Sequence, residues 1–289
     1  MSKHITNFIN VTRLNKPIGF LLLFWPCTWG LSLAFYFDKN FYTFCYYLIL
    51  FFLGSVLMRS AGCIVNDIVD EKIDRKVSRT KNRPIASGNL KKTTAWIYVL
   101  ILCLLAFLVL IQFNFLTISL GIFSMIFAFS YPFMKRFTYW PQLFLGITFN
   151  YGIILGWTSI YSSINIEIII FYLGAIFWTL GYDTIYGFQD IVDDEIIGVK
   201  STSIKFKNSP KLFLSICYSL FIICFLAGGI FLGLSKLYFI VMIALGIHLF
   251  YFQISKFDML NPKNCLRIFK SNNILGAIVL VSILVSKIN

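Results

Sequence analysis

Charge is scarce in this sequence. Only 13% of its 289 residues are Asp, Glu, Lys or Arg, against about a quarter in soluble globular domains. With 58% of residues hydrophobic, that scarcity excludes a water-soluble protein. Acid is scarcer than base: 12 acidic residues stand against 25 basic ones, a net charge of +13. A basic excess suits nucleic acid, anionic lipid or an anionic substrate. No nucleic-acid partner is expected here, because the basic residues lie between apolar runs and form no soluble basic face. Histidine is limited to His4 and His248, and the seven cysteines include no Cys-x-x-Cys pair. Neither a disulfide framework nor a zinc site is expected from that.

What is abundant is long apolar sequence. A membrane-spanning helix needs about 20 mostly apolar residues, and the charge-poor intervals, divided at Gln112–Asn114 and Ser162–Asn165, give nine of them. They are expected near 17–37, 42–64, 93–112, 115–134, 141–161, 166–188, 211–232, 237–254 and 272–287. The runs are continuously apolar, without the alternation of a membrane β-barrel, so an all-α integral membrane protein of about nine transmembrane helices is expected, with membrane lipid as its surroundings. Residues 1–289 read as a single polytopic domain with charged loops near 66–92 and 189–210.

Lys and Arg alternate sides sharply. With the N-terminus on the cytoplasmic side, 21 of the 25 fall on that side, Lys39, Lys236 and Lys287 on the other, and Arg59 inside the second span. This asymmetry places the N-terminus and the charged loops in the cytoplasm. Without a long Arg/Ser-rich, acid-poor leading segment, the expected location is a bacterial inner membrane.

Acid is concentrated at two span ends. The first cluster reads Asn66-Asp67-Ile-Val-Asp70-Glu-Lys-Ile-Asp74, and four-residue spacing would put Asn66, Asp70 and Asp74 on one helix face. The second repeats the spacing with Tyr186, Asp190 and Asp194, flanked by Asp183 and Asp193. Like charges four apart cost a helix a few tenths of a kcal/mol per pair, so something must offset the repulsion twice. Carboxylates with an amide oxygen, and no thiol or imidazole, suit a hard cation such as Mg²⁺ that completes its shell with water and phosphate. The plainer alternative is a solvated acidic loop that balances its basic neighbours.

Between the clusters lie Arg79 and Arg83, four apart. They serve either as guanidinium forks for phosphate oxygens or simply as positive charges on the cytoplasmic side. Tyr131 and Lys135 end the fourth span as site residues or as interfacial anchors. Arg59 lies about two turns inside the second span, where an ionisable residue is a functional candidate. Its partner would be a substrate carboxylate or Asp183.

These residues sit in a wider set. Arg13-Leu-Asn-Lys16-Pro-Ile-Gly19, Met58-Arg59-Ser-Ala-Gly-Cys63, Arg79-Thr-x-Asn82-Arg83-Pro, Tyr131-Pro-Phe-Met-Lys135 and Gly198-x-Lys200-Ser-Thr202 accompany the two acidic motifs in order along nearly the whole chain. Together they resemble the UbiA family of membrane prenyltransferases. The resemblance implies Mg²⁺-dependent transfer of a polyprenyl group from its diphosphate to the ring carbon ortho to the hydroxyl of 4-hydroxybenzoate, an early membrane step of ubiquinone biosynthesis. It implies metal ligation by Asn66, Asp70, Asp74, Asp190 and Asp194, with the four aspartates and Tyr131 as catalytic groups. It also implies substrate contacts for Arg59, Asp67, Arg79, Arg83, Lys135, Asp183 and Tyr186. The rival readings are a relative with a naphthoate or haem acceptor, and a cation-coupled transporter.

Overall fold

A computed structural model describes residues 3–286. A short helix, α1 (Lys3–Thr12), leads into the long helices α2 (Ile18–Asp38) and α3 (Phe41–Val69). A single turn, α4 (Glu71–Asp74), opens a long loop before α5 (Lys92–Leu110) and α6 (Phe115–Ser130). A 3₁₀ turn at Tyr131–Phe133 and the short α7 (Met134–Phe137) precede α8 (Pro141–Thr158) and α9 (Ile166–Gly187). After a second 3₁₀ turn, Phe188–Asp190, come α10 (Ile191–Ile197) and α11 (Thr202–Lys205), then α12 (Pro210–Phe231), α13 (Lys236–His248) and α14 (Pro262–Val285). No strand occurs among the described residues.

The nine expected spans are all helices, and eight are long and apolar enough to cross a membrane. The remaining one, α8, has 18 residues and buries Gln142, Asn150 and Thr158. Its polarity is directed inward, so composition understates its place in the bundle. Most boundaries fall within a few residues of expectation, but α3 runs on to Val69, and α14 begins at Pro262, ten residues before 272. Pro262 occupies the first turn, where its missing N–H costs nothing, and Asn261 accepts a bond from the Asn264 N–H (3.1 Å) to cap it. Lys39 and Lys236 stand at the end opposite the acidic motifs, while Lys287 lies outside the described residues.

The core is built on α2, α8, α9, α12 and α14. Trp29, Trp178, Phe221 and Phe225 are fully buried there, and the indole N–H groups of these two tryptophans find partners. Trp29 Nε1 donates to the Gly276 carbonyl (2.9 Å) and Trp178 Nε1 to Asn272 Oδ1 (2.9 Å). The crossing of α2 and α8 depends on missing side chains: a Cβ on Gly30 would lie 2.0 Å from the Ile153 carbonyl oxygen, and one on Gly156 2.2 Å from that of Cys27. Apolar helices gain nothing from leaving lipid for one another, so close backbone approach supplies the attraction. By contrast α5 and α6 expose Leu100, Leu104, Ile122 and Ile126, the pattern of lipid-facing helices.

Candidate active site

Both acidic motifs sit at helix breaks, not on uninterrupted helix faces. Helix α3 ends one residue before Asp70 (φ −94°, ψ 4°), and the 3₁₀ turn after α9 ends on Asp190 (φ −115°, ψ 10°). The run expected along one helix for Asn66, Asp70 and Asp74, and for Tyr186, Asp190 and Asp194, is interrupted: the chain turns at the middle acid of each. Burial raises the Asp70 carboxyl, and the turn leaves Asp74 close enough to raise it further, an effect that Lys135 opposes. The turn also swings the later carboxylates over the mouth of a cavity of about 1090 Å³.

Asn66, Asp70 and Asp74 line that cavity from one side, and Tyr186, Asp190 and Asp194 from the other. Arg79, Arg83 and Lys135 complete the rim, with Tyr131 and Asp183 beneath. The 75–91 loop joins the halves. Arg79 Nε donates to both carboxylate oxygens of Asp190 (2.7 and 3.0 Å) and its Nη1 to the Tyr186 hydroxyl (3.2 Å). Arg83 Nη1 bonds Asp74 Oδ2 (2.8 Å) and Asp67 Oδ1 (3.1 Å). The neighbouring Ser78 N–H donates to Asp193 Oδ2 (2.9 Å). The two arginines, adjacent in the pattern, therefore serve opposite motifs.

Lys135 Nζ pairs with Asp70 Oδ2, and Arg136 Nη2 donates to the Val69 carbonyl (2.6 Å) at the C-terminus of α3, where cations are favoured. Asp70 and Asp74 are nearly inaccessible. Burial pushes both carboxyls above the ordinary carboxylate range, with Lys135 opposing the shift at Asp70 and Arg83 at Asp74. Glu71, outside the cavity, is lowered by its hydrogen bond to Lys92.

Among the described residues, no three His, Cys, Asp or Glu side chains are gathered as a metal cluster; Asp70, Asp74 and Asp190 each pair with a cation instead. The donor set nonetheless fits a hard divalent ion. It consists of carboxylate and amide oxygens around one cavity, and Asp70 Oδ1 is buried without a hydrogen-bond partner.

Deeper in the cavity, Arg59 makes no ion pair with Asp183. Its guanidinium lies over the Phe149 ring (5.3 Å to the centroid), and its Nε is buried without a partner. The packing is tight on the other side, where a Cβ on Gly19 would come within 2.9 Å of that nitrogen. Asp183, half-buried, feels the Arg59 charge but accepts no hydrogen bond. Below this level the lining turns apolar, with Phe20, Leu110, Phe113 and Met125. Asp67 differs from the other candidates: it does not line the cavity and is enclosed by Arg13 and Arg83. Arg13 and Phe149, which do line it, were not singled out as site residues by sequence. Arg13 stands before the first span as one basic residue among several, and Phe149 is one of 32 phenylalanines.

Comparison with known proteins accords with this geometry. The model of the UbiA prenyltransferase family matches residues 23–274. The mitochondrial 4-hydroxybenzoate polyprenyltransferase of Bos taurus is 39% identical over 282 residues, 97% of this chain and 75% of that protein. The protein of the same name from Arabidopsis thaliana is 40% identical over 289 residues, 99% and 70% of the two chains. Among solved structures, a UbiA homologue from Aeropyrum pernix K1 superposes with a TM-score of 0.72 at 22% identity, covering 92% of this chain and 97% of that one. One from Archaeoglobus fulgidus, bound to GPP and Mg²⁺, gives 0.70 at 17% identity, covering 96% and 99%.

These relatives correct one expectation. They are mitochondrial proteins of eukaryotes, so the bacterial inner membrane, with its cytoplasmic loops, is not supported; the multi-pass part agrees. The Lys/Arg asymmetry orients spans relative to one another and does not name the membrane. By the family match over most of its length, and by the fold and paired acidic motifs that go with it, this chain belongs to the UbiA prenyltransferase family.

Proposed function

We propose that the protein transfers a polyprenyl group from polyprenyl diphosphate to the carbon ortho to the hydroxyl of 4-hydroxybenzoate, releasing diphosphate and 3-polyprenyl-4-hydroxybenzoate. The observation that carries this is one cavity with three zones. It has a rim of paired acids and bases, the Arg59 guanidinium with its buried Nε about two turns further in, and an apolar floor. In this reading residues 1–289 work as one unit, because α3, the 75–91 loop, α7, α9 and α10 all contribute to that rim.

Arg79, Arg83 and Lys135 bind the diphosphate and neutralise the charge that develops on it as the allylic C–O bond breaks. Asn66, Asp70, Asp74, Asp190 and Asp194 would hold Mg²⁺, which would supply Lewis-acid stabilisation of the same leaving group. The apolar lining excludes water from the allylic cation. Arg59 holds the acceptor carboxylate against Phe149, and Tyr131 flanks the reacting ring. The ring carbon then bonds to the prenyl C1, and its proton passes to Asp183, whose carboxylate has no other hydrogen-bond partner.

The test is product formation by purified protein given labelled 4-hydroxybenzoate and a polyprenyl diphosphate, with Mg²⁺ or EDTA. Mg²⁺-dependent 3-polyprenyl-4-hydroxybenzoate is expected; folded protein that prenylates a naphthoate or haem instead overturns the acceptor assignment. Two variants probe the roles. Arg59→Met should raise KM for 4-hydroxybenzoate about tenfold or more, with the donor KM unchanged, as loss of a charge-assisted bond requires. An unchanged preference for 4-hydroxybenzoate over phenol would remove Arg59 from the carboxylate. Asp183→Asn should lower kcat about 10²-fold with both KM values near wild type, the scale of general-base catalysis. Full turnover would assign the proton elsewhere.

A further inference from the structure

We propose that Arg13 is a positioning residue: it fixes Asp67, and through Asp67 the Arg83 guanidinium, so that helix α1 sets the geometry of the diphosphate rim. The inference rests on the functional reading above. It begins from the backbone. Arg13 adopts φ +57°, the left-handed region that a non-glycine residue enters at a cost. That conformation ends α1 and is closed by the Lys16 N–H donating to the Arg13 carbonyl (2.9 Å). It turns the guanidinium back toward the bundle, where Nη2 donates to Asp67 Oδ1 at 2.5 Å.

Asp67 is 1% exposed. Its Oδ1 is shared between Arg13 and Arg83, and its Oδ2 is buried with no partner. A carboxylate so enclosed has no donor approach open to a substrate, whereas two guanidinium groups on one oxygen define where each must point. Arg83 then reaches Asp74 with the same Nη1. The sequence Arg13, Asp67, Arg83, Asp74 is therefore one chain of charge-assisted bonds from α1 to the cavity mouth. Helix α1 is itself anchored: Val11 is fully buried against Ala61, Ile64 and Val65 of α3, and Asn7 Nδ2 donates to the Asn89 carbonyl (3.1 Å) in the loop that carries Arg83.

The test separates positioning from direct contact. Arg13→Gln should raise KM for polyprenyl diphosphate about tenfold, leave KM for 4-hydroxybenzoate unchanged, and reduce the thermal upshift produced by inorganic pyrophosphate with Mg²⁺. Arg13→Lys should recover only part of the loss, since an ammonium lacks the fork. In an Asp67→Asn background, Arg13→Gln should add little, because the link is already broken. Full additivity would mean that Arg13 touches the diphosphate itself, and an unchanged donor KM and pyrophosphate upshift would mean that it has no part; either overturns the proposal. If Arg13→Gln does not fold, Arg13→Lys carries the same comparison. The pyrophosphate upshift is read without an acceptor, so absence of product from wild-type protein counts against the proposed reaction and leaves the positioning role to be decided by that shift.

Discussion

Replacing Asp70 or Asp190 by Asn is expected to lower kcat/KM by about 10³-fold or more, the scale on which loss of charge stabilisation at a leaving group is felt. Each substitution keeps the side chain's size and removes its charge. At Asp70, itself nearly inaccessible, it leaves the partly exposed Lys135 ammonium without its partner, and at Asp190 it breaks the fork made by Arg79. The two residues occupy equivalent places, each at the backbone break of its motif, so comparable losses are expected and the double variant should fall little below either single one. Glu71→Gln supplies the control. Glu71 belongs to the same acidic run but pairs with Arg75 (2.6 Å) and Lys92 away from the cavity, and its loss should change the rate less than about twofold, as for a surface ion pair. The measurement is kcat/KM for the donor, from initial rates across donor concentrations at saturating acceptor, on protein whose folding is verified by elution profile. If Asp70→Asn and Asp190→Asn keep wild-type rates, the two-motif site is wrong.

Gly30→Val is expected to prevent accumulation of folded protein. The added side chain would begin 2.0 Å from the Ile153 carbonyl oxygen, and a backbone atom at a helix crossing cannot step aside as the end of a flexible side chain can. The two helices would have to separate along much of their length, exposing the Trp29 and Trp178 layer. A cost of roughly 4–5 kcal/mol or more follows, at the upper end for single substitutions. Gly246→Ala is the comparison. There the nearest atom to a new Cβ is Ile222 Cγ1 at 3.7 Å, and replacing a helix-interior glycine should stabilise by about 0.5–1 kcal/mol. Thermal unfolding and the yield of monodisperse protein in detergent read both. Wild-type yield from Gly30→Val would show that the α2–α8 crossing is not set by that contact.

Sequence alone determined a good deal here. Hydropathy located all nine long helices, because an apolar run without charge has one stable arrangement in lipid. Lys/Arg asymmetry placed both acidic motifs at one end of the bundle, which made a shared site legible. The motif residues were legible too, since their four-residue recurrence is a local pattern. What the tertiary structure decided was partnership. The spacing of Arg79 and Arg83 suggests one shared duty, yet Arg79 serves Asp190, 111 residues away, while Arg83 serves Asp67 and Asp74. Arg59 and Asp183 are natural opposites on paper, yet Phe149 takes the guanidinium and leaves the carboxylate open. Asp67, expected from the resemblance to contact substrate, is enclosed because Arg13 reaches it across 54 residues. Periodicity carries information over a few helical turns. Which charged group meets which across a bundle depends on helix crossings that a glycine allows and on where a helix stops, and neither is written in the spacing of the charges themselves.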